Sequence, residues 1–293
     1  MISVILPVIS KKYLKESVDS ILNQTYKNFE LIVILEKSSE QIEIEKLLNK
    51  YSDKRIIIMK NNKKLGLAKS LNIGLEKSKG KYIARMDSDD VSLENRLEIE
   101  YNYMEKHNDV DILATNAEYF GSVNGPWFNG NISFENLKSN LLISNPICHP
   151  TVMFRKSSIK KYNLKYNSKY ISEDYELWCD SISKGCTINV LEDITLKYRK
   201  STNNLTSNDK LIKARINSVV KTLKKYYFKT LKLRMSKSSI MNMQILFPYN
   251  KNNTKREKLI IKIVEKNKIV KFYNEEELTW QLGYYNIIEN QKH

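Results

Sequence analysis

The feature that most constrains the fold is a regular alternation of short apolar runs with amphipathic segments in the first 115 residues. Five runs have the length and composition of buried strands: residues 2–7, 29–35, 55–59, 82–86 and 111–115. Between them, apolar residues recur at helical spacing, as Leu14, Val18 and Ile21 do. Strands that alternate with helices predict a mainly parallel, Rossmann-like α/β sheet flanked by helices.

Several chemically useful residues follow these predicted strands directly. Pro7, Glu36, the loop 61–66 and the segment 87–90 each come after a strand. Ligands of open parallel sheets bind beyond the carboxyl ends of the strands. We therefore expect these residues to gather at one edge of the sheet and to form a site.

The segment Tyr82-Ile83-Ala84-Arg85-Met86-Asp87-Ser88-Asp89-Asp90 joins an apolar strand to three carboxylates without a spacer. Carboxylate oxygens are the ligands that magnesium and manganese prefer, and these ions keep room for water or a substrate phosphate. The alternative is a solvated acidic turn before the next helix, which we expect Ser92 to cap. The position of the motif after a strand of the parallel sheet favours a metal site.

A second acidic feature, Ser172-Glu173-Asp174, has two interpretations. Ser172 is suited to cap a helix whose positive end the two acids favour, which is a complete structural explanation. The functional alternative is a general base. Two further features are equally open: His149 precedes a predicted strand, and Trp127 and Phe128 lie in a glycine-rich loop, where such rings pack inward or stack on a sugar.

Composition limits the classes of partner. Lysine and arginine total 49 against 33 acidic residues, a net charge of +16, which favours an anionic partner such as nucleic acid, anionic lipid or a phosphorylated substrate. No apolar run approaches the roughly 20 residues of a membrane-spanning helix. The first residues do not resemble a secretory signal, and the three cysteines lack metal-type spacing. A cytoplasmic protein is expected.

The segment Lys210–Lys237 carries ten basic residues and no acidic one, with an apolar stripe at helical spacing. It fits a helix on an anionic membrane surface, a helix that packs its stripe on the protein, or both together. We predict a catalytic domain at 1–204, with a nucleotide-sugar-binding half at 1–115 and an acceptor-binding half at 116–204. A basic helical region is predicted at 205–293, and no function is assigned to 249–293.

The ordered motifs resemble family 2 glycosyltransferases of the GT-A fold, of the bacterial type that builds capsule, O-antigen and exopolysaccharide. The match extends over roughly residues 1–200 and rests on these segments: Val4-Ile5-Leu6-Pro7-Val8, Ser20-Ile21-Leu22-Asn23-Gln24-Thr25-Tyr26, Leu65-Gly66-Leu67-Ala68, Asn72-Ile73-Gly74, Ala84–Asp90, His149-Pro150-Thr151 and Glu173-Asp174. The resemblance implies inverting, metal-dependent transfer from a nucleotide sugar, usually UDP-linked, to a hydroxyl of a glycan or lipid-linked acceptor.

The resemblance also implies roles for single residues. Asp89, with Asp87, would hold Mn²⁺ or Mg²⁺, and Asp174, or else Glu173, would be the catalytic base. His149 and Trp178 fall where acceptor contacts are expected. Donor-binding roles are implied for Pro7, Val8, Glu36, Gly66, Lys69, Arg85, Asp87 and Ser88.

The chain departs from the family pattern in three places. Glu36 stands where an Asp-Asp-Gly or Glu-Asp-Gly sequence is usual, and Ile9-Ser10 replaces the usual Tyr-Asn. The histidine that often follows Tyr-Arg as a further metal ligand is absent after Tyr198-Arg199, and Lys200 is a candidate to replace part of the cation's charge.

Two other hypotheses remain at this point. A sugar-phosphate nucleotidyltransferase also uses an α/β fold and magnesium, but the first strand is not followed by a glycine-rich basic loop. A basic nucleic-acid-binding protein would explain Lys210–Lys237, but no nucleic-acid-binding module is recognised. The glycosyltransferase hypothesis leads, at the cytoplasmic face of a membrane.

Overall fold

The structure is a computed structural model that describes residues 1–127, 132–200, 209–243 and 253–282 of the chain. Contacts divide the chain into two compact units. The first unit consists of Met1–Asn131, Ile147–Lys169 and Cys186–Asp209, and the second of Ile132–Pro146, Tyr170–Gly185 and Lys210–His293. The predicted boundary at residue 204 lies outside the described residues, as does Phe128, so the domain division stays a prediction.

The described residues form the following strands: β1 Ile2–Val8, β2 Phe29–Leu35, β3 Ile56–Lys60, β4 Tyr82–Arg85, β5 Val91–Ser92, β6 Ile112–Gly121, β7 Gly125–Pro126, β8 Met153–Arg155 and β9 Ile188–Lys200. Their helices are α1 Leu14–Leu22, α2 Gln41–Leu48, α3 Leu67–Lys77, α4 Arg96–Lys106, α5 Phe134–Asn140, α6 Lys156–Lys161, α7 Glu173–Ser183, α8 Asp209–Leu231, α9 Lys237–Met243, α10 Asn253–Val270 and α11 Glu275–Leu282. A 3-10 turn, His149–Thr151, precedes β8.

All the strands belong to one sheet in the first unit, in the order β3-β2-β1-β4-β8-β6-β9-β5, with β7 paired to β6. Strands β1 to β4 are parallel, as the alternation of strands and helices predicts. The second half is mixed, because β8 runs antiparallel between β4 and β6 whereas β6 and β9 are parallel. The expectation of a mainly parallel sheet is confirmed, because the antiparallel pairings are short and lie in the second half.

The core of the first unit lies on the faces of this sheet. Every residue of β2 is buried, as is every residue of β1 except the half-buried Pro7, so both strands read as continuous apolar runs rather than alternating ones. Helix α3 lies very close to β1, since a Cβ atom added at Gly74 would lie 2.5 Å from Ile5 Cγ2. Glycine at this position allows the close packing.

Ser92 does not cap a helix, and that prediction is wrong. Ser92 belongs to β5, which pairs antiparallel with β9, and its N–H group donates to Ser20 Oγ at 3.1 Å. Helix α4 begins four residues later, at Arg96. A two-residue strand cannot be recognised from sequence, because its only distinguishing feature is its partner in the sheet.

In the second unit, the apolar stripe of α8 is buried inside the protein. Its buried residues include Val220, Leu223, Tyr226, Tyr227 and Leu231. The hydroxyl of Tyr226 donates to the Lys138 carbonyl and that of Tyr227 to the Leu142 carbonyl. Of the two interpretations of this segment, the packed helix agrees with these contacts.

Two lysines of α8 are paired with acids. Lys225 Nζ lies 2.8 Å from Glu176 and 3.0 Å from Asp180, and Lys229 Nζ lies 2.8 Å from Asp180. Lys184 completes this group at 2.7 Å from Asp180. We call these five residues the lysine-paired cluster. No helix among the described residues has the length and apolarity needed to cross a bilayer.

Candidate active site

Three carboxylates lie together where β4 ends. Asp87, Asp89 and Asp90, here called the aspartate triad, each present one oxygen so that all three atoms lie within 4.8 Å of one another. Strand β4 is central in the sheet, between β1 and β8, which fixes where the triad begins. A compact set of hard oxygen donors suits a magnesium or manganese ion.

The triad carries more negative charge than its surroundings neutralise. Burial and the neighbouring Asp87 raise the pKa of Asp89 to about 6. Burial, with Asp87 and Asp89, raises the pKa of Asp90 well above its ordinary value. Asp90 Oδ2 is also buried without a hydrogen-bond partner among the described residues. Buried oxygens of this kind favour a bound cation, so the residues fit a metal ion.

Arg85 orients the first aspartate of the triad. Its guanidinium donates to both Asp87 oxygens, at 2.7 and 2.6 Å, in a bidentate pair. The arginine is 2% exposed, so this side chain lies beside Asp87 rather than at an open surface. The implied contact of Arg85 with the donor phosphates therefore stays a prediction, and the structure assigns the guanidinium to Asp87.

Arg199, at the end of β9, closes the turn that carries the triad. Its Nε donates to the Asp89 carbonyl at 2.7 Å, and its backbone N–H donates to Asp90 Oδ1 at 2.8 Å. The guanidinium also pairs with Glu16 and lies 4.0 Å from the ring centroid of Tyr13. This role was not predicted from the sequence, and the only available signal was the Tyr198-Arg199 pair near the end of β9.

Glu36 uses both carboxylate oxygens to hold the loop that leads into α3. Oε1 accepts from the backbone N–H of Leu65 at 2.9 Å, and Oε2 accepts from that of Gly66 at 2.6 Å. Oε1 also accepts from Asn61 and Oε2 from Ser70. Burial alone would raise the pKa of Glu36, but these donors lower it below its ordinary value. The placement favours a positioning role for Glu36, and its implied donor-binding role stays a prediction.

Other residues with predicted donor-binding roles lie near the same ends of the strands. Gly66 has a φ of +82°, which favours glycine, although a Cβ atom added there would meet no atom within 4 Å beyond its chain neighbours. Val8 is buried, Pro7 and Ser88 are half-buried, and Lys69 is exposed. The backbone carbonyl of Val8 accepts from the Glu36 N–H at 2.8 Å, which brings the ends of β1 and β2 together.

His149 lies in the 3-10 turn before β8 and is 9% exposed. Its Nε2 lies 2.8 Å from the Tyr166 hydroxyl. Burial, together with the charge of Arg85, holds the pKa of the imidazole well below its ordinary value, so the ring is neutral at pH 7. This environment is that of a buried structural histidine, and the predicted acceptor contact stays a prediction.

The remaining predicted residues belong to the second unit, on α7. Ser172 occupies the N-cap position, but its side chain makes no capping hydrogen bond. Asp174 is half-buried, and its Oδ2 accepts from Asn145 Nδ2 at 2.9 Å, whereas Glu173 is 9% exposed. Trp178 is fully buried, so its indole has no open surface for the predicted acceptor contact.

Comparison with known proteins identifies the family. The sequence pattern of glycosyl transferase family 2 matches residues 3–162, more than half of the 293 residues. The chain belongs to glycosyl transferase family 2. This glycosyltransferase is 36% identical over 201 residues to an uncharacterized glycosyltransferase of Methanocaldococcus jannaschii, a match that covers 64% of this chain and 66% of the relative. The chain thus spans just under two thirds of that relative.

Another relative of this chain is named for the synthesis of a bacterial polysaccharide. The O-antigen biosynthesis glycosyltransferase WbnJ of Escherichia coli is 39% identical over 212 residues, which cover 68% of this glycosyltransferase and 79% of WbnJ. The family assignment favours the glycosyltransferase hypothesis over the nucleotidyltransferase and nucleic-acid-binding alternatives. It supports the resemblance to polysaccharide-building enzymes that the motifs indicated.

Solved structures confirm the fold. Residues 1–349 of TarS from S. aureus, crystallised with UDP-GlcNAc, align with a TM-score of 0.66 at 15% identity, covering 99% of this glycosyltransferase and 91% of TarS. At this low identity the likeness shows the fold alone. The glycosyltransferase has the GT-A fold, with a curled mixed sheet flanked by helices.

Proposed function

We propose that this family 2 glycosyltransferase transfers a sugar, with inversion, from a UDP-linked donor to a hydroxyl of a glycan or lipid-linked acceptor in bacterial surface polysaccharide synthesis. The observation that carries the proposal is the aspartate triad at the carboxyl end of β4, held by two arginines. An alternative role as a solvated acidic turn is disfavoured, because Asp90 is buried and Asp89 has a raised pKa.

Asp87 and Asp89 would hold a divalent cation, and Asp90 contributes a third nearby carboxylate. When bound, such a cation would neutralise the charge that develops on the departing diphosphate, as a Lewis acid. Arg85 fixes the orientation of Asp87, and Arg199 fixes the backbone at Asp89. These two contacts preorganise the carboxylates before the donor binds, which lowers the cost of assembling the site.

Asp174 is the proposed general base. The acceptor oxygen bonds to the anomeric carbon from the face opposite the diphosphate, and the bond from this carbon to the phosphate oxygen breaks. The acceptor proton passes to the Asp174 carboxylate, whose orientation is set by the hydrogen bond from Asn145. A single displacement inverts the anomeric centre and requires no nucleophilic side chain. Glu173, which is more buried, is the second candidate for the base.

The test is a donor screen with the purified full chain and Mn²⁺, in which release of the nucleoside diphosphate is measured for UDP-, GDP-, dTDP- and CMP-linked sugars. We expect turnover of a UDP-sugar. Asp174→Asn should retain UDP affinity within about twofold and lose transfer by about 10²–10⁴-fold, the usual contribution of a general base. Asp193→Asn, an exposed acid on β9, is the matched control and should behave like wild type.

Each outcome of the screen decides one part of the proposal. Retained transfer by Asp174→Asn moves the base to Glu173. Turnover of a different nucleotide sugar would contradict the UDP assignment and would still support glycosyltransferase activity. If no donor is consumed and Asp89→Ala binds nucleotide sugars as wild type does, the proposed function is wrong.

We also propose that the enzyme works at an anionic membrane surface through the exposed face of α8. Lys213, Lys221 and Lys224 lie exposed on this face, with Phe228 47% exposed beside them. They are spaced to share one side of the helix. Because the apolar stripe of α8 is buried, attachment would be electrostatic, with about 1 kcal/mol from each lysine near the surface.

Flotation with liposomes that contain phosphatidylglycerol tests this attachment. Replacement of Lys213, Lys221 and Lys224 by glutamine should reduce binding by at least tenfold at low salt. The matched control replaces Lys27, Lys54 and Lys106, which are exposed in the first unit, and should bind as wild type does. Equal losses in the two triple variants would show that net charge, rather than this face, determines binding.

A further inference from the structure

Three aromatic rings form a cluster near the aspartate triad. They have no role in the proposed mechanism. Tyr119 of β6 and Tyr198 of β9 are paired residues in the sheet, and their ring centroids are 5.7 Å apart. Trp127, which follows β7, lies 5.3 Å from the first ring and 5.0 Å from the second. All three belong to the first unit, and we call them the aromatic cluster.

The cluster adjoins the triad through β9. Tyr198 immediately precedes Arg199, whose backbone N–H donates to Asp90 Oδ1 at 2.8 Å. Burial, together with the charges of Asp87, Asp90 and Asp89, raises the pKa of the Tyr198 hydroxyl above its ordinary value. The hydrogen bond of the next residue and this electrostatic effect both indicate that Tyr198 lies near the triad.

The polar ends of these rings have no protein partner in the part of the chain that the structure describes. The Tyr119 hydroxyl, the Trp127 indole N–H and the Tyr198 hydroxyl form no hydrogen bond with the described residues, and all three residues are half-buried. Tyrosine and tryptophan usually find a partner for these groups when they are buried. Trp127 and Tyr198 pack against the hydrophobic core, but none of the three polar atoms is among the buried atoms that lack a partner, so water or a ligand can reach them.

Lys200 adds a positive charge to the same group. Its Nζ lies 4.9 Å from the ring centroid of Tyr119 and 5.7 Å from that of Tyr198, and no described carboxylate pairs with it. The ammonium therefore has free donor capacity beside two ring faces.

We infer that the aromatic cluster and Lys200 form a binding platform for a pyranose ring of a substrate of this glycosyltransferase. The C–H face of a sugar ring packs on aromatic faces, and its hydroxyls pair with phenol, indole and ammonium groups, which is the combination present here. The inference rests on the proposed function for the identity of the substrates. It adds a carbohydrate-binding site formed by β6, β7 and β9.

The test uses the full chain with two substitutions at Trp127. Trp127→Leu removes the ring and keeps apolar bulk, whereas Trp127→Phe keeps a ring. The matched control is Tyr162→Leu, a half-buried aromatic residue at the end of α6 in the same unit. Steady-state kinetics with donor and acceptor varied separately, inhibition by UDP and thermal melting are measured for each protein.

We expect Trp127→Leu to raise KM at least tenfold for the substrate whose sugar occupies the platform, while the inhibition constant of UDP stays within twofold of wild type. An effect on the donor KM identifies the transferred sugar, and an effect on the acceptor KM identifies an acceptor sugar. Trp127→Phe should remain within threefold, and Tyr162→Leu should match wild type.

Two results would overturn the inference. One is KM values within twofold of wild type for both substrates in Trp127→Leu. The other is a parallel change in the UDP inhibition constant, which would indicate a nucleotide-binding or folding role. Saturation-transfer NMR with methyl glycosides separates this question from the function: signals lost in Trp127→Leu alone support the platform even if the enzyme consumes no tested donor.

Discussion

Two groups of carboxylates, one in each unit, have opposite electrostatic environments. In the aspartate triad, burial and mutual repulsion raise the pKa of Asp89 to about 6. In the lysine-paired cluster, burial would raise the pKa of Asp180, but hydrogen bonds from three lysines hold it well below its ordinary value. Both groups consist of carboxylates, but three lysines pair with Asp180 whereas Asp89 has an acidic neighbour.

The counter-charges around each acidic group distinguish a functional group from a structural one. The lysine-paired cluster supplies its own counter-charges, so a further cation has nothing to neutralise. The triad has Arg85 and Arg199 nearby, yet it leaves Asp90 Oδ2 buried and unpaired among the described residues. Raised carboxylate pKa values at a strand end mark a site that is completed by a ligand.

The largest expected difference between the two groups is in catalysis. Asp89→Asn should lower the transfer rate by about 10³-fold, since a lost charge stabilisation of about 4 kcal/mol in the transition state has this effect. Its melting temperature should equal or exceed that of wild type, because one of three crowded charges is removed. A fall in melting temperature of more than about 5 °C would show that the triad stabilises the fold, as the lysine-paired cluster is expected to do.

The effect of a metal ion on stability should be the next largest difference between the two groups. Mn²⁺ at 100 times its dissociation constant should raise the free energy of unfolding of wild type by about 2.7 kcal/mol, measured by urea unfolding with and without EDTA. Asp180→Asn should keep this increase, and Asp89→Asn should lose it. An increase that persists in Asp89→Asn would place the metal elsewhere.

The lysine-paired cluster should contribute to stability and leave catalysis unchanged. Asp180→Asn removes the partner of three lysines and should lower the free energy of unfolding by about 1 kcal/mol, a modest value because Lys225 and Lys229 are more than a third exposed. The rate of transfer per folded molecule should equal that of wild type. Asp193→Asn, with no described ion pair, is the control for the substitution itself.

The smallest effect is the pH dependence of that difference. The folded-state pKa of Asp180 lies below the unfolded value of about 3.8, so its contribution is fully present above this pH and is lost as the pH falls through the folded pKa. The stability difference between wild type and Asp180→Asn should therefore be constant from pH 5 to 7 and shrink below about pH 4. Urea unfolding at each pH checks this, and a difference that grows on acidification would contradict the assignment.

The sequence predicted the strands of the first half well, because apolar runs bounded by turns need no knowledge of their partners. The runs at 2–7 and 29–35 correspond to Ile2–Val8 and Phe29–Leu35. The segment predicted at 111–115 is longer in the structure, Ile112–Gly121, because its second part is stabilised by pairing with β9. Such pairing depends on distant residues and leaves no local pattern.

The sequence predicted which residues form the candidate site better than it predicted the contacts that those residues make. Asp87 and Asp89 were recognised because a short motif carries its own chemistry. The hydrogen bonds of Glu36 were not, since they are donated by backbone N–H groups, which every residue type offers alike. The pairing of Lys225 with Glu176 was missed for a different reason: helical spacing gives the face of a residue but not what lies opposite it.

Arg199 contacts Asp89 across 110 residues of sequence and Glu16 across 183. Synthesis proceeds from the amino end, so the aspartates leave the ribosome long before the arginine that closes their turn. The site is therefore finished only when one of the last strands of the first unit docks, and contacts of such separation form slowly. A chain truncated before β9 would carry the whole acidic motif and still lack an assembled site, which makes completion of the protein a precondition for its chemistry.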